Sequence, residues 1–193
     1  NPHNESGPDT AYFWKEVLSK DSILQLIERF IFLKVDRDKK GKKTLIFPRY
    51  QQRRAVNRVL EDMKVNHTDS NYLIQHSAGS GKTNTIAWLA HSLVSLHDHE
   101  DRNVVDAVLI VTDRIVVDRQ LQDAVQAIQH QPGVIKVMDD KATSSDLADA
   151  LAGNTKIIAT TIHKFAQINK SDWMTAGPTA QKRFAILIDE AHS

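Results

Sequence analysis

The 193-residue chain carries 25 Lys+Arg against 24 Asp+Glu, with 41% hydrophobic and 25% charged residues, the balance of an ordinary globular domain. That length suits one domain with little left over, and no apolar run approaches the roughly 20 residues of a membrane-spanning helix. The absence of cysteine excludes disulfides and thiolate metal sites and fits a reducing cytoplasm.

The charge is unevenly spread: residues 1–64 hold 14 Lys+Arg and 9 Asp+Glu, whereas residues 65–193 hold 11 and 15. A basic front part suits a polyanionic partner and equally suits a solvated, lysine-rich surface. Asn1 to Pro8 lacks the basic-then-apolar pattern of a signal peptide and reads as a solvated tail. Ala11 to Leu33 reads as helix in two pieces, broken near Ser19–Asp21. The second piece has a capping start at Asp21-Ser22 and one broad apolar face of Ile23, Leu24, Leu26, Ile27 and Phe30. Lys34 to Lys43, with six basic residues and a glycine, reads as a loop. Pro48 can open a helix at its first position; that helix is expected to run to about Lys64, with Tyr50, Val56, Val59, Leu60 and Met63 facing inward.

From there short apolar runs alternate with helical stretches. Strands are expected at 72–75, 107–112, 134–138, 156–160 and 184–188, and helices at 82–96, 115–128, 144–151 and 162–169. Such alternation implies crossover connections and a mostly parallel sheet covered on both faces. Val108-Leu109-Ile110-Val111 and Ala185-Ile186-Leu187-Ile188 have the unbroken apolarity of strands buried on both sides.

Between the first of these strands and the longest helix lies His76-Ser77-Ala78-Gly79-Ser80-Gly81-Lys82-Thr83. Glycines let the backbone turn so that successive N–H groups point at one anion, and a helix starting near Lys82 adds its positive end. Lys82 can reach terminal phosphates, and the Thr83 hydroxyl can ligate Mg²⁺. The general pattern asks for glycine six places before the lysine, where this chain has His76. The last apolar run ends in Asp189-Glu190-Ala191-His192, at the sheet edge where open α/β folds bind ligands. Asp189 is placed to hold a Mg²⁺ shell and Glu190 to orient and deprotonate water. Together the two motifs read as a nucleoside triphosphatase core. His97-Asp98-His99-Glu100 could suggest metal binding, but a polar turn after a helix is the simpler reading.

Ala78 to Thr83 followed by Asp189 to His192 resembles motifs I and II of superfamily 2 helicases and translocases. More narrowly, Phe47 to Gln52, Asn71 to Ala90 and Thr160 to Phe165 resemble the motor (R) subunit of type I restriction enzymes, a family that carries histidine at the position of His76. The resemblance covers about residues 11–193. It implies a RecA-like α/β lobe over 47–193, with a mostly parallel sheet flanked by helices, after a helical lead-in and basic linker over 1–46. It casts Ser77, Ala78, Gly79, Ser80, Gly81, Lys82, Thr83 and Asn84 as the ATP-phosphate site, Thr83 and Asp189 as Mg²⁺ ligands, and Lys82, Asp189 and Glu190 as catalytic. Gln52 matches the glutamine that reads the adenine edge, and Arg49 the arginine three places before it; an amide can pair with adenine and a guanidinium can stack on it.

Thr112, Arg114 and Gln120, and later Thr161, His163 and Lys164, match segments that hold one DNA strand. Arg114 and Lys164 are equally readable as ordinary exposed charges. The resemblance further implies double-stranded DNA, modification and specificity subunits, and a bacterial cytoplasmic setting. A second RecA-like lobe with an arginine finger and a nuclease domain are expected outside these 193 residues, which alone are expected to turn over negligibly. The residues leave two classes open: a catalytic DNA-motor piece, or a nucleotide-binding module of another superfamily 2 protein without turnover.

Overall fold

The two most apolar runs of the sequence lie side by side in a parallel sheet. The computed structural model describes residues 7–8, 10–36, 41–67, 70–113, 115–128, 134–139, 141–166 and 181–190, with backbone alone at 36 and 115–120. The chain divides into two units, Asn1–Pro48 and Arg49–Ser193. Most of the tail at 1–8, the end of the helix expected over 162–169, Arg114, Ala191 and His192 lie outside the described residues.

In the first unit a wide-turn helical segment, Phe13–Val17, precedes helix α1 (Lys20–Gln25), which runs into a second wide-turn segment, Leu26–Phe30. The break falls at Ser19, within the expected 19–21 stretch, and the cap is Ser19, whose hydroxyl accepts the Ser22 N–H at 3.4 Å, rather than Asp21-Ser22. Of the expected inner face only Leu26 and Phe30 are buried; Ile23, Leu24 and Ile27 are exposed. The wider turn over 26–30 takes Ile27 off the stripe that a 3.6-residue period would form; Ile23 and Leu24 lie in the regular helix before it.

Of the stretch 34–43, expected as loop, residues 34–36 and 42–43 instead lie in paired strands: β1 (Phe32–Asp36) runs antiparallel to β2 (Lys42–Ile46), with Phe32 opposite Ile46 and Asp36 opposite Lys42. The lysines obscured a strand signal carried by Phe32, Val35, Thr44, Leu45 and Ile46, residue types that suit a pleated surface. Gly41 at φ +73° supplies a conformation next to β2 that other residues rarely adopt.

The second unit opens with helix α2 (Tyr50–Asn66). Arg49 is its cap and Pro48 stands outside it. Gln52, Val56, Val59, Leu60 and Met63 are buried at helical spacing, while Tyr50, expected inside, is exposed. On the first turn its ring instead lies 5.9 Å from the Arg54 guanidinium. Helix α3 (Lys82–Val94) buries Trp88 and Leu93 completely or nearly so. Strand β3 (Ala107–Thr112) is buried at every position. Helix α4 (Ile115–Ile128) packs Leu121, Ala124, Val125 and Ile128, spaced i, i+3, i+4 and i+7, as an amphipathic stripe should. Strand β4 (Ile135–Val137), helix α5 (Ser144–Ala152), strand β5 (Ile157–Thr161), helix α6 (Ile162–Ala166) and strand β6 (Phe184–Ile188) complete the unit.

The four strands β3 to β6 are all parallel, in the order β4-β5-β3-β6. Leu109, Val111, Met138, Leu147, Ala150, Leu151 and Ile158 form one apolar cluster between the sheet and α5. Each fully buried aliphatic side chain there contributes about 1.5–3 kcal/mol of transfer free energy. Thr143 starts α5 by accepting the Asp146 N–H at 3.2 Å while Asp146 accepts the Thr143 N–H at 2.7 Å, a reciprocal cap. At its other end Lys182 donates to the carbonyls of Leu151, Ala152 and Gly153, putting a cation on the negative helix end.

The strand expected at Tyr72–Gln75 pairs with no strand among the described residues. Leu73 there is 88% exposed, so the burial that stabilises an apolar strand is not realised. The Tyr72 hydroxyl donates to Asp62 of α2 at 2.6 Å instead. No helix among the described residues is long and apolar enough to cross a membrane.

Candidate phosphate-binding site

Register assembles the site. The Arg183 N–H donates to the Asp106 carboxylate at 2.8 Å, and the Asp106 N–H returns to the Arg183 carbonyl at 2.8 Å. This exchange ties the amino ends of β3 and β6 together. Pairing then runs from Ala107 opposite Phe184 to Val111 opposite Ile188, and Thr112 stands opposite Thr161. The Asp189 N–H continues the ladder to the Val111 carbonyl at 3.0 Å. Thr112, Thr161 and Asp189 thereby share the carboxyl edge of the sheet.

The loop before α3 turns at two glycines, Gly79 at φ +71° and Gly81 at φ +86°. A Cβ on Gly79 would meet nothing within 4 Å, whereas one on Gly81 would stand 2.5 Å from the Gln52 amide nitrogen. Gly81→Ala should therefore combine left-handed backbone strain of about 1–2 kcal/mol with displacement of Gln52 and its hydrogen bonds, about 1 kcal/mol each. Gly79→Ala carries the strain alone. Urea unfolding is expected to rank Gly81→Ala as the more destabilised variant by about 1–2 kcal/mol; equal losses would show that the Gln52 contact contributes nothing.

Gln52 is 3% exposed and fully engaged as a donor. Its amide donates to the Ser80 carbonyl at 3.1 Å and the Gly81 carbonyl at 3.0 Å, while its oxygen accepts the Arg49 N–H at 2.7 Å. Arg49 Nη1 donates to the Gly79 carbonyl at 3.3 Å. Both residues expected at the adenine thus brace the phosphate loop from the start of α2. What Gln52 keeps for a base in this arrangement is acceptor capacity on its oxygen.

Lys82, the first residue of α3, contacts the Glu190 carboxylate through Nζ. The hydrogen bond to Glu190 holds its ammonium above the ordinary lysine range; partial burial opposes this, and the charges of Glu190 and Asp189 reinforce it. Asp189 is 7% exposed and its Oδ1 accepts the Glu190 N–H at 3.0 Å. Glu190 sits at φ +57°, a left-handed conformation that costs a non-glycine residue about 1–3 kcal/mol and recurs at functional sites. Ser77, Ala78 and Gly79 are exposed, and Lys82, Thr83 and Asn84 half-buried. Ser80 is buried and its hydroxyl has no partner among the described residues. An orphaned buried hydroxyl inside a glycine turn calls for a polar occupant of the loop.

Among the described residues, those matched to DNA-contacting segments do not form one exposed strip. Thr112 is buried with its hydroxyl unpartnered among the described residues. Thr161 is buried and its hydroxyl accepts the Lys164 N–H at 3.4 Å. Lys164 donates to the carbonyls of Met138 at 3.2 Å and Asp139, so its charge tethers α6 to the end of β4. His163 is exposed. The side chains of Arg114 and Gln120 lie outside the described residues. Sequence alone offers no signal for the Lys164 tether, because its acceptors are backbone carbonyls of a distant strand end.

In the turn at 97–100, Asp98 accepts the N–H groups of Glu100 at 2.8 Å and Arg102 at 3.0 Å, and pairs with the Arg102 guanidinium at 3.0 Å. These contacts, the Arg102 N–H foremost, lower its carboxyl to about 2. Because the folded value is depressed, the turn's stabilisation is present above the ordinary carboxylate range and lost as pH falls towards 2. A carboxyl-carbon NMR titration should place the Asp98 midpoint near that value; a midpoint near 4 would mean the turn does not hold it. Among the described residues no group of three or more His, Asp or Glu is placed to hold a metal.

Residues 51–193 match the family model for the SWI2/SNF2 ATPase. The chain belongs to that family. The family's name is that of an ATPase, and the chain's glycine turn and acidic strand end are of the kind nucleotide use requires. Over its whole length it is 27% identical to a Methanocaldococcus jannaschii protein assigned as the endonuclease subunit of the type I restriction enzyme MjaVIIIP, and it spans 21% of that relative. Its fold is shared with the UvsW helicase of bacteriophage T4. One UvsW structure gives a TM-score of 0.53 at 14% identity, covering 91% of this chain and 61% of that one; a second gives 0.53 at 13%, covering 90% and 35%.

Proposed function

We propose that this SWI2/SNF2 ATPase lobe binds and hydrolyses ATP to drive movement along double-stranded DNA, as part of the cytoplasmic motor and endonuclease subunit of a type I restriction enzyme. The observation that carries the reading is the contact of Lys82 with Glu190. It joins the helix end after the glycine loop to the acidic strand end, 108 residues away in sequence.

In this reading Ser77 to Asn84 wrap the phosphates, with first-turn N–H groups of α3 pointing at them. Arg49 and Gln52 brace the loop from the adenine side. Thr83 and Asp189 would hold Mg²⁺, which is commonly bound through one or two carboxylates plus substrate phosphates. Bound there, the ion would supply charge neutralisation on the phosphate oxygens. The buried Asp189 carboxylate and the orphaned Ser80 hydroxyl fit such an occupant. Lys82 offers a full positive charge at any physiological pH. Glu190 takes a proton from water once Lys82 has turned from it to phosphate.

The lobe's relatives in modification, DNA specificity and nuclease cleavage would be other subunits and other parts of the same subunit. The test is made on the full-length protein: ATPase rate with and without duplex DNA, and displacement of a third strand from a linear duplex as a measure of movement. DNA-stimulated hydrolysis with ATP-dependent displacement is expected. Hydrolysis indifferent to DNA, without displacement, would overturn the motor reading.

A further inference from the structure

We infer that the β1–β2 hairpin is a second, non-catalytic contact for the phosphate backbone of double-stranded DNA, made by Lys34, Lys42 and Lys43. The inference rests on the DNA reading above and adds a surface that none of the helicase-type motifs includes.

The rungs of the hairpin are graded. Farthest from the turn stand Phe32 opposite Ile46 and Leu33 opposite Leu45; nearer the turn come Lys34 opposite Thr44, Val35 opposite Lys43 and Asp36 opposite Lys42. The three rungs nearest the turn therefore carry all three lysines. Lys34, Lys42 and Lys43 are exposed, and none makes an ion pair among the described residues. Asp36, across from Lys42, is the one acidic residue on these rungs. By sequence, residues 34–43 hold six basic and two acidic residues. This net +4 accounts for nearly the whole +5 of residues 1–64, while residues 65–193 carry −4. An acidic remainder repels a polyanion, so attraction must come from a local basic feature, and the hairpin is where the charge is concentrated.

Shape agrees with charge. Alternation places Lys34 and Lys42 on one face of the ribbon and Lys43 on the other. Three rungs span two steps of about 3.4 Å, comparable with the major-groove depth of about 8.5 Å, and that groove admits a two-stranded ribbon. The paired residues of such a ribbon present a lysine-bearing face to each phosphate wall. Contacts of this kind position a protein on the duplex without reading sequence.

The experiment measures duplex-DNA affinity of the full-length protein as a function of salt. Each phosphate contact contributes about 0.9 to the slope of log K against log salt. The triple variant Lys34→Ala/Lys42→Ala/Lys43→Ala is expected to lower that slope by about 2–3 and to weaken binding at least tenfold at about 0.15 M salt. The triple arginine variant should stay within about twofold of the parent, and ATP binding should be unchanged in both. Single Lys42→Gln, which removes one charge with little change in shape, should lower the slope by about 0.9 even where the triple variant perturbs the hairpin. An unchanged slope in Lys42→Gln and in the alanine triple would overturn the hairpin contact and leave the motor reading standing. Absence of duplex binding by the parent protein would instead overturn the DNA reading itself.

Discussion

Lys82→Ala is expected to abolish ATP-dependent movement in the full-length protein and to lower ATP hydrolysis by at least about 10²–10³-fold, the cost of losing one preorganised donor at developing charge. The reason is local. Lys82 is the first residue of α3, so its side chain and the helix end act on the same anion. The substitution removes the ammonium while leaving the loop's glycine turns, the Gln52 brace and the helix start in place. Stability should change by less than about 1 kcal/mol, because Lys82 and Glu190 are each about one-third exposed and such ion pairs contribute little. Steady-state ATPase, strand displacement and urea unfolding together check this. A fully folded Lys82→Ala protein that moves on DNA at the parent rate would remove the motor reading, since no other residue of the loop supplies a mobile full charge.

Much of the second unit is legible in the sequence because its cause is local. The strands at 107–112 and 184–188 and the helix at 115–128 follow from apolar runs and helical spacing, and the structure reproduces their bounds. Burial on both sides holds for β3 but not for β6, an edge strand among the described residues whose Ile186 and Ile188 are exposed. The glycine loop and acidic pair announce themselves by residue type and by position at element ends. What the sequence conceals is which partner each polar group finds. Gln52 carries an amide suited to a base, yet its donors go to two carbonyls of the loop 28 and 29 residues away. Lys164 has the charge for a phosphate, yet it caps a strand end. Tyr50 and Ile27 have the right character for a core and the wrong neighbours. The hairpin was hidden for a different reason: lysine runs suggest solvent, and exposed strands are built from alternating positions that solvent also accepts. Local pattern specifies elements; pairing at a distance specifies chemistry.

Glu190→Gln separates binding from turnover. The amide cannot take a proton from water, so hydrolysis should fall by about 10²–10⁴-fold, the usual contribution of a positioned general base. Glutamine is isosteric and meets the same backbone requirement at φ +57°, so any strain at this position is common to parent and variant. The ion pair with Lys82 is lost at the same time. Its hydrogen bond is the largest influence holding the Lys82 ammonium above its ordinary range, so the lysine value should move down in the variant while the residue stays charged near neutral pH. Lys82 is then released to phosphate without first breaking a contact to a carboxylate. ATP affinity should accordingly be retained or rise, while single-turnover hydrolysis collapses. Calorimetric ATP binding and a single-turnover assay on the full-length protein give the two numbers. Parallel loss of both would make Glu190 a structural partner of Lys82 rather than the group that activates water; loss of turnover alone assigns it the proton.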